Sequence, residues 1–475
     1  MTGASGYVGG RVVPALLNQG LRVRCLARTP AKLRAAPWFN DVEVVAGSVD
    51  DDLADAMKDV DTAIYLVHSI GEPDWVQRES RQARNFALAA EVANVQRIVF
   101  LGGLGSKSET LSRHLASRQD AGAALAATSV PVIELRAGVI IGSGSASFEM
   151  LRYLVDVLPI MVTPKWVATR CQPVAIADVV SLIVRAVTSS TEIRGVFEVG
   201  GADIVTYAQM MEAYADAAGL RRRILLPVPL LSPRLSSHWI GLVTPVPVPL
   251  AKELVQSLVN EVIVTERSAT IELSVPAMGL KQAIARALDA TAHNRTATTF
   301  SDADLVYFHP NELDPDWAGG TVFSDVRSET TTLSAPDLFA ELCTIGGDKG
   351  WYSAPLLWRV RGIVDQLVGG PGLRRGRKAQ LRIGDALDFW RVEAIEAPHL
   401  LRLRAEMRLP GAAWLTWSLV PSDGLLVITQ TATFRPRGLL GRCYWALVLP
   451  FHRFIFPAML RGLLLQAEKS RANSL

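Results

Sequence analysis

The sequence predicts an α/β protein in two parts, a doubly wound parallel sheet followed by a smaller α+β unit. Three observations carry this. A glycine-rich turn runs directly into a helical stretch at Thr2–Gly20. Short apolar runs then alternate with helical stretches over the first half of the chain. Beyond residue 326 the pattern becomes closely spaced strands closed by one long helix.

At 475 residues the chain is too long for one core. We place the first domain at residues 1–290 and a linker at 291–325, where Thr, Ala, Asn, Asp and Pro accumulate. The second domain takes 326–475. The net charge of +3 hides an asymmetry: Trp351–Leu475 carries 18 Lys or Arg against 8 Asp or Glu. Such a basic, apolar end suits either contact with an anionic membrane surface or an ordinary solvated arginine surface. Four scattered cysteines (Cys25, Cys171, Cys343, Cys443), with no CxxC pair, argue for a reducing cytoplasm and against a disulfide framework or a zinc site. Two greasy stretches do not read as membrane spans. Residues 225–250 hold six prolines, and Trp445–Leu465 is interrupted by Pro450, His452, Arg453, Pro457 and Arg461, which favours a buried or interfacial helix.

Taken in order, TGASGYVG (Thr2–Gly9) opens the chain. Three glycines at this spacing permit a tight turn, close approach of backbone to a pyrophosphate and close helix packing. The helix that follows turns its positive dipole end toward phosphates. Leu21–Ala27 reads as a strand ending at Arg28, where a dinucleotide fold meets the adenosine ribose; arginine there favours the 2′-phosphate of NADP(H) over NAD(H). Val42–Ala46, Asp61–Val67, Arg97–Leu101 and Val130–Leu135 are further strands, with a helix at Trp75–Ala93. The expected cofactor contacts are Gly3, Ser5, Gly6, Tyr7, Val8, Gly9, Arg28, Ser48, Val49 and Val67. A first strand should precede the glycine loop by about five residues. Only Met1 stands there, so the first strand reads as truncated, and we expect the true start to lie upstream.

TGASGYVG, the arginine after the next strand, and RCQPVAIADV (Arg170–Val179) together resemble the atypical, NmrA-like short-chain dehydrogenases, a family related to the accessory Rossmann subunit of respiratory complex I. The resemblance implies a Rossmann fold and nucleotide binding. Active members of the wider family use a Tyr-x-x-x-Lys pair and a serine. Here LGGLG (Leu101–Gly105) stands where the serine would sit, and Ser112–Arg118 carries no Tyr-x-x-x-Lys. His114 and Arg118 share one helix face and are the candidate catalytic pair, histidine giving a proton and arginine lowering its pKa. A structural, ribose-contacting or surface pair is the competing reading. Ser48 stands where relatives carry an aspartate facing the adenine. Trp166 and Arg170 are candidate substrate contacts.

In the second domain, Ala335–Cys343 and Leu356–Val368 read as helices, and GGPGLRRGRK (Gly369–Lys378) as a basic loop. Ala386–Glu396, Leu400–Leu409, Ala413–Val420 and Leu425–Phe434 read as an antiparallel meander, closed by a helix over Gly441–Lys469. Such a helix-grip layout leaves an apolar cavity between sheet and helix. DKGWYSAPLLWRVRG, GDALDFWRVE and FRPRGLLGR resemble a START-like (SRPBCC, polyketide-cyclase-like) domain, which implies a lipid, quinone or polyketide ligand. Trp358, Phe389, Trp390, Trp414 and Trp417 are candidate pocket residues, and Arg391 with Glu406 a cross-strand pair.

The expectation is therefore an NADP(H)-preferring oxidoreductase-family protein acting on or sensing a hydrophobic, quinone- or lipid-like compound. It would be cytoplasmic, in peripheral contact with the inner face of the membrane. The alternative is a non-catalytic nucleotide-binding scaffold or regulator. Nucleic acid is not an expected partner, because no helix-turn-helix pattern occurs and the basic residues fall on a sheet.

Overall fold

A computed structural model describes residues 1–68, 74–105, 111–190, 192–227, 248–292, 320–346, 350–353, 357–358, 361–362, 365–366, 381–422 and 424–472. The chain divides into two compact units, Met1–Gly320 and Thr321–Leu475. The Pro-rich residues 228–247 and the basic loop at 369–378 lie outside the described residues, as do 293–319 of the expected linker.

The first unit is built on parallel strands. Arg24–Ala27 (β1) pairs with Glu43–Ala46 (β2), and Thr62–Tyr65 (β3), Arg97–Gly103 (β4) and Val132–Ala137 (β5) form a second parallel set with Gly195–Val199 at its edge. Only Met1 and Thr2 lie between β1 and β3. The Thr2 N–H donates to Ile64 O at 2.9 Å, the Leu26 N–H donates to Met1 O at 2.9 Å, and Thr2 bridges Leu26 in parallel. The two residues thus hold a mid-sheet position, and the order runs β2, β1, Met1–Thr2, β3, β4, β5. Strand β5 is buried along its whole length, as a sheet covered on both faces requires.

Helices Gly9–Asn18, Trp75–Val92, Arg113–Leu125 and Ile176–Thr188 cover the sheet. Arg113–Leu125 starts at Ser112, whose side chain accepts from the Leu115 N–H. The Arg170–Val179 motif is a clamp. The Gln172 side chain donates to Gly201 O at 2.7 Å and accepts from the Val264 N–H at 2.9 Å, while Asp178 accepts from the Met278 N–H at 2.8 Å. These bonds pin residues far along the chain over the carboxyl ends of the strands.

The second unit is a six-stranded antiparallel sheet against a long helix. In chain order the strands are Phe323–Thr331, Ala386–Leu387, Trp390–Glu396, Leu400–Ala405, Gly411–Ser422 and Leu425–Pro436, and the first pairs with the last. Two details depart from expectation. Phe323–Thr331 begins inside the expected linker, because this edge strand is mostly polar and lacks the alternation that marks a buried face. The expected strand Ala386–Glu396 is broken at Asp388, which has φ +52° and accepts from the Trp351 indole at 2.9 Å. The closing helix runs over Gly438–Ala472 and buries Trp445, Phe456, Met459, Leu460 and Leu463. By length and composition it could cross a membrane. One face, however, belongs to the core.

Candidate functional site

A cavity of about 470 Å³ opens at the carboxyl ends of the parallel strands, beside the position from which the strand order runs both ways. That is where ligands bind in open α/β sheets. Its floor is the glycine loop: Gly3, Ser5, Gly6, Tyr7, Val8 and Gly9 all line it. Gly3 adopts φ +71°, a left-handed conformation that disfavours side chains. A Cβ on Gly9 would lie 2.1 Å from Gly3 O, and one on Gly6 3.2 Å from the same oxygen. The cradle exists only because these three positions have no side chain, and the helix Gly9–Asn18 starts from it. These residues fit a dinucleotide pyrophosphate.

The other expected cofactor residues lie outside the cavity lining. Arg28 is exposed just past β1, where the adenosine end of a dinucleotide would extend. Just past β2, the Ser48 N–H donates to Asp51 Oδ2 at 2.7 Å, and Val49 is buried, its carbonyl accepting from Asn85 at 2.6 Å. The Val67 carbonyl, past β3, accepts from Arg118 at 3.0 Å.

The candidate catalytic pair divides. Arg118 is buried and held in place: it donates to Val67 O, to Leu101 O at 2.5 Å and to the fully buried Glu79, and its guanidinium lies 4.7 Å from the Phe100 ring centroid. Glu79 also accepts from Ser117 Oγ at 2.5 Å. Arg118 is a bolt between the sheet and two helices. Both His114 and Arg118 line the cavity, but burial, then Arg118 and His68, push the His114 pKa down to about 3. At neutral pH its imidazole is neutral, so it has no cationic proton to give.

The roof is apolar. Leu250, Leu254 and Leu258, on and just beyond the helix Val248–Ser257, line the cavity together with Leu104, Leu115 and Ile140. His68 and Tyr207 line it too, and neither was marked by sequence reasoning. Tyr207 opens a helix whose capping box (Thr206, Gln209) was the one local cue. Trp166 stands behind it, edge-on to the Tyr207 ring at 6.0 Å. Arg170 forms a solvent-facing ion pair with Glu261 at 2.6 Å and does not line the cavity.

The second unit holds a cavity of its own, about 570 Å³, between the sheet and the helix Gly438–Ala472. Trp358, Trp390 and Trp414 line it. Phe389 and Trp417 do not; both are fully buried core residues, and the Trp417 indole donates to Gln430 at 2.9 Å. Arg391 pairs with Glu406 at 2.5 Å across the strands.

The first unit holds an NAD(P)H-binding domain of Rossmann fold: residues 3–132 match the family described as NAD(P)H-binding. Residues 317–459 match a family described as a protein of unknown function, DUF2867. No curated protein matches the chain in sequence. Among solved structures, the triphenylmethane reductase of Citrobacter sp. is similar at 18% identity and a TM-score of 0.50, over 61% of this chain and 98% of that one. The NADPH-dependent quinone oxidoreductase QOR2 from Escherichia coli, solved with NADPH, aligns at 19% identity and a TM-score of 0.48, over 60% and 97%. At these identities the likeness is one of fold.

Proposed function

We propose that the first unit binds NADPH in preference to NADH and uses it to reduce a hydrophobic, quinone-like acceptor. The carrying observation is the cavity itself, a glycine cradle on one side and a leucine roof on the other. The cofactor would lie with its pyrophosphate on Gly3–Gly9 and its adenosine end toward Arg28, where a guanidinium suits a 2′-phosphate. When bound it supplies a hydride. The chain excludes water with Leu250, Leu254 and Leu258, and offers a neutral His114 at the wall. A quinone tolerates that neutrality, because its reduced form delocalises negative charge and does not depend on a strong protein acid, whereas an isolated ketone needs a donor with a pKa near the working pH.

The test is NADPH oxidation by purified protein offered a set of quinones and a set of simple ketones. Turnover with quinones alone supports the reading. NADPH binding without turnover of either set points to a nucleotide-binding scaffold or regulator, a reading favoured by the structural employment of Arg118.

The second unit supports a START-like reading through its layout of sheet, long helix and intervening cavity. It would work at the inner, cytoplasmic face of an anionic membrane. Leu440 (74% exposed), Leu447 (72%) and Phe454 (78%) stand on the side of Gly438–Ala472 away from the core. That helix carries five basic residues and one acidic one. An apolar stripe with basic company suits an interfacial helix on anionic lipid.

A further inference from the structure

Among the described residues, the cavity of the second unit is lined by two arginines, Arg361 and Arg408, and one carboxylate, Asp365, in a wall otherwise largely aromatic and apolar. Trp390 and Trp414 from the sheet, and Trp445 and Phe456 from the closing helix, make it apolar. Arg361 lines the same space. Its guanidinium donates to Tyr444 Oη at 2.6 Å and to Met407 S at 3.2 Å. Neither acceptor is an anion, and among the described residues no carboxylate pairs with Arg361. Asp365, also at the wall, accepts from the Arg408 N–H at 3.0 Å. His452, also at the wall, is pushed down to about 4, chiefly by burial. Asp325, 3.9 Å away, opposes this, while Arg361 and Arg327 add to it. Arg361 is therefore a guanidinium of the wall with donors to spare and no carboxylate partner among the described residues, in surroundings where an uncompensated cation is costly.

We propose that this cavity binds an acidic amphiphile, its chain or ring system among the tryptophans and its carboxylate or phosphate head against Arg361. A volume near 570 Å³ is that of a typical ligand pocket. A charge-assisted fork between Arg361 and an anionic head supplies orientation, which an apolar chamber lacks by itself. This assignment names the ligand class within the START-like reading of the second unit. It makes no use of the nucleotide site.

The experiment uses the full chain and cis-parinaric acid, a fluorescent long-chain carboxylic acid, beside its methyl ester. Binding is read by energy transfer from tryptophan. The acid should bind about 10-fold or more tightly than the ester, the effect of one charge-assisted hydrogen bond. Arg361→Met should bring the two within about twofold with ester affinity unchanged, Arg361→Lys should restore part of the preference, and Ala413→Trp, which fills the cavity, should abolish both. Equal binding of acid and ester by the wild type overturns the assignment, as does a preference that survives in Arg361→Met. Should that variant fail to fold, the wild-type ratio alone decides. Absence of NADPH turnover bears on the first unit only, so the two readings fail separately.

Discussion

Replacing Gly9 by alanine tests the glycine cradle with a single methyl group. The added Cβ would stand 2.1 Å from Gly3 O, 2.8 Å from Gly3 C and 3.0 Å from Ala4 Cα. All three neighbours are backbone, so no side chain can swing aside, and the loop must open by about 0.9 Å to reach even the 3.0 Å that real Cβ contacts respect. Over-packing of this kind costs about 1–3 kcal/mol, which lowers the melting temperature by about 2–6 °C. The larger effect falls on the ligand. A loop displaced by nearly 1 Å loses at least one charge-assisted bond to the pyrophosphate, worth about 1.5–3 kcal/mol, so NADPH should bind about 10- to 100-fold more weakly. Calorimetric titration of NADPH, paired with thermal melts, measures both quantities. Gly20→Ala is the control. It places a residue at φ +73° with no atom within 4 Å of the new methyl, so it strains the backbone remote from the cavity and should leave NADPH affinity alone. If Gly9→Ala binds NADPH within twofold of wild type, the loop is not the phosphate seat and the dinucleotide reading of the cavity is wrong.

Arg28→Asp should weaken NADPH by at least about 10-fold while NADH is held or improved, since a carboxylate repels the 2′-phosphate and accepts from a 2′-hydroxyl; unchanged selectivity removes Arg28 from the site. Glu79→Ala leaves Arg118 buried without its carboxylate and should cost about 3–5 kcal/mol in denaturant unfolding, whereas a loss below about 1 kcal/mol would show Arg118 to be an adaptable, working side chain. His114, held near 3 in the fold and near 6.5 in the unfolded chain, takes up its proton only on unfolding between those values. Its neutral burial is therefore harmless above about pH 6.5 and increasingly destabilising below, by up to about 2 kcal/mol at pH 5. His114→Asn should flatten the melting profile over that range, and an identical profile contradicts the burial. Leu447→Glu with Phe454→Glu should abolish pelleting with phosphatidylglycerol vesicles; retained pelleting removes the helix face from the contact.

What the sequence disclosed was local. TGASGYVG was legible because each glycine answers a backbone constraint that no other residue meets, and the structure shows that constraint as φ +71° at Gly3 and a 2.1 Å clash at Gly9. The parallel strands were legible because buried strands are apolar runs of fixed length. Glu79 was not. It sits in a helix rich in Arg, Gln and Asn, where one more charged residue reads as solvent-facing, and its partners Ser117 and Arg118 lie 38 and 39 residues away. His68, Tyr207 and the leucine roof were hidden likewise, since only the fold brings these three separate segments to one opening. Nor could composition separate Trp414, which lines the second cavity, from Trp417, three residues on and sealed in the core. The alternation of faces along a strand distinguishes them, but it needs the register, which in turn needs the partner strands.

The buried ion pair explains why the two members of the His114–Arg118 face cannot act as one unit. A guanidinium that donates to two backbone carbonyls and a fully buried carboxylate is fixed in the sheet-to-helix contact. Moving it toward a substrate would expose Glu79 to an uncompensated interior, at several times the energy of any single new hydrogen bond. Arg118 lines the cavity but is fixed in place there, and its charge adds to burial in lowering the basicity of His114. A site arranged this way suits an acceptor that carries its own negative charge after hydride arrives and collects its proton later, from solvent. The proposed quinone-like acceptor rests on the position of Glu79, and turnover with quinones against simple ketones tests it.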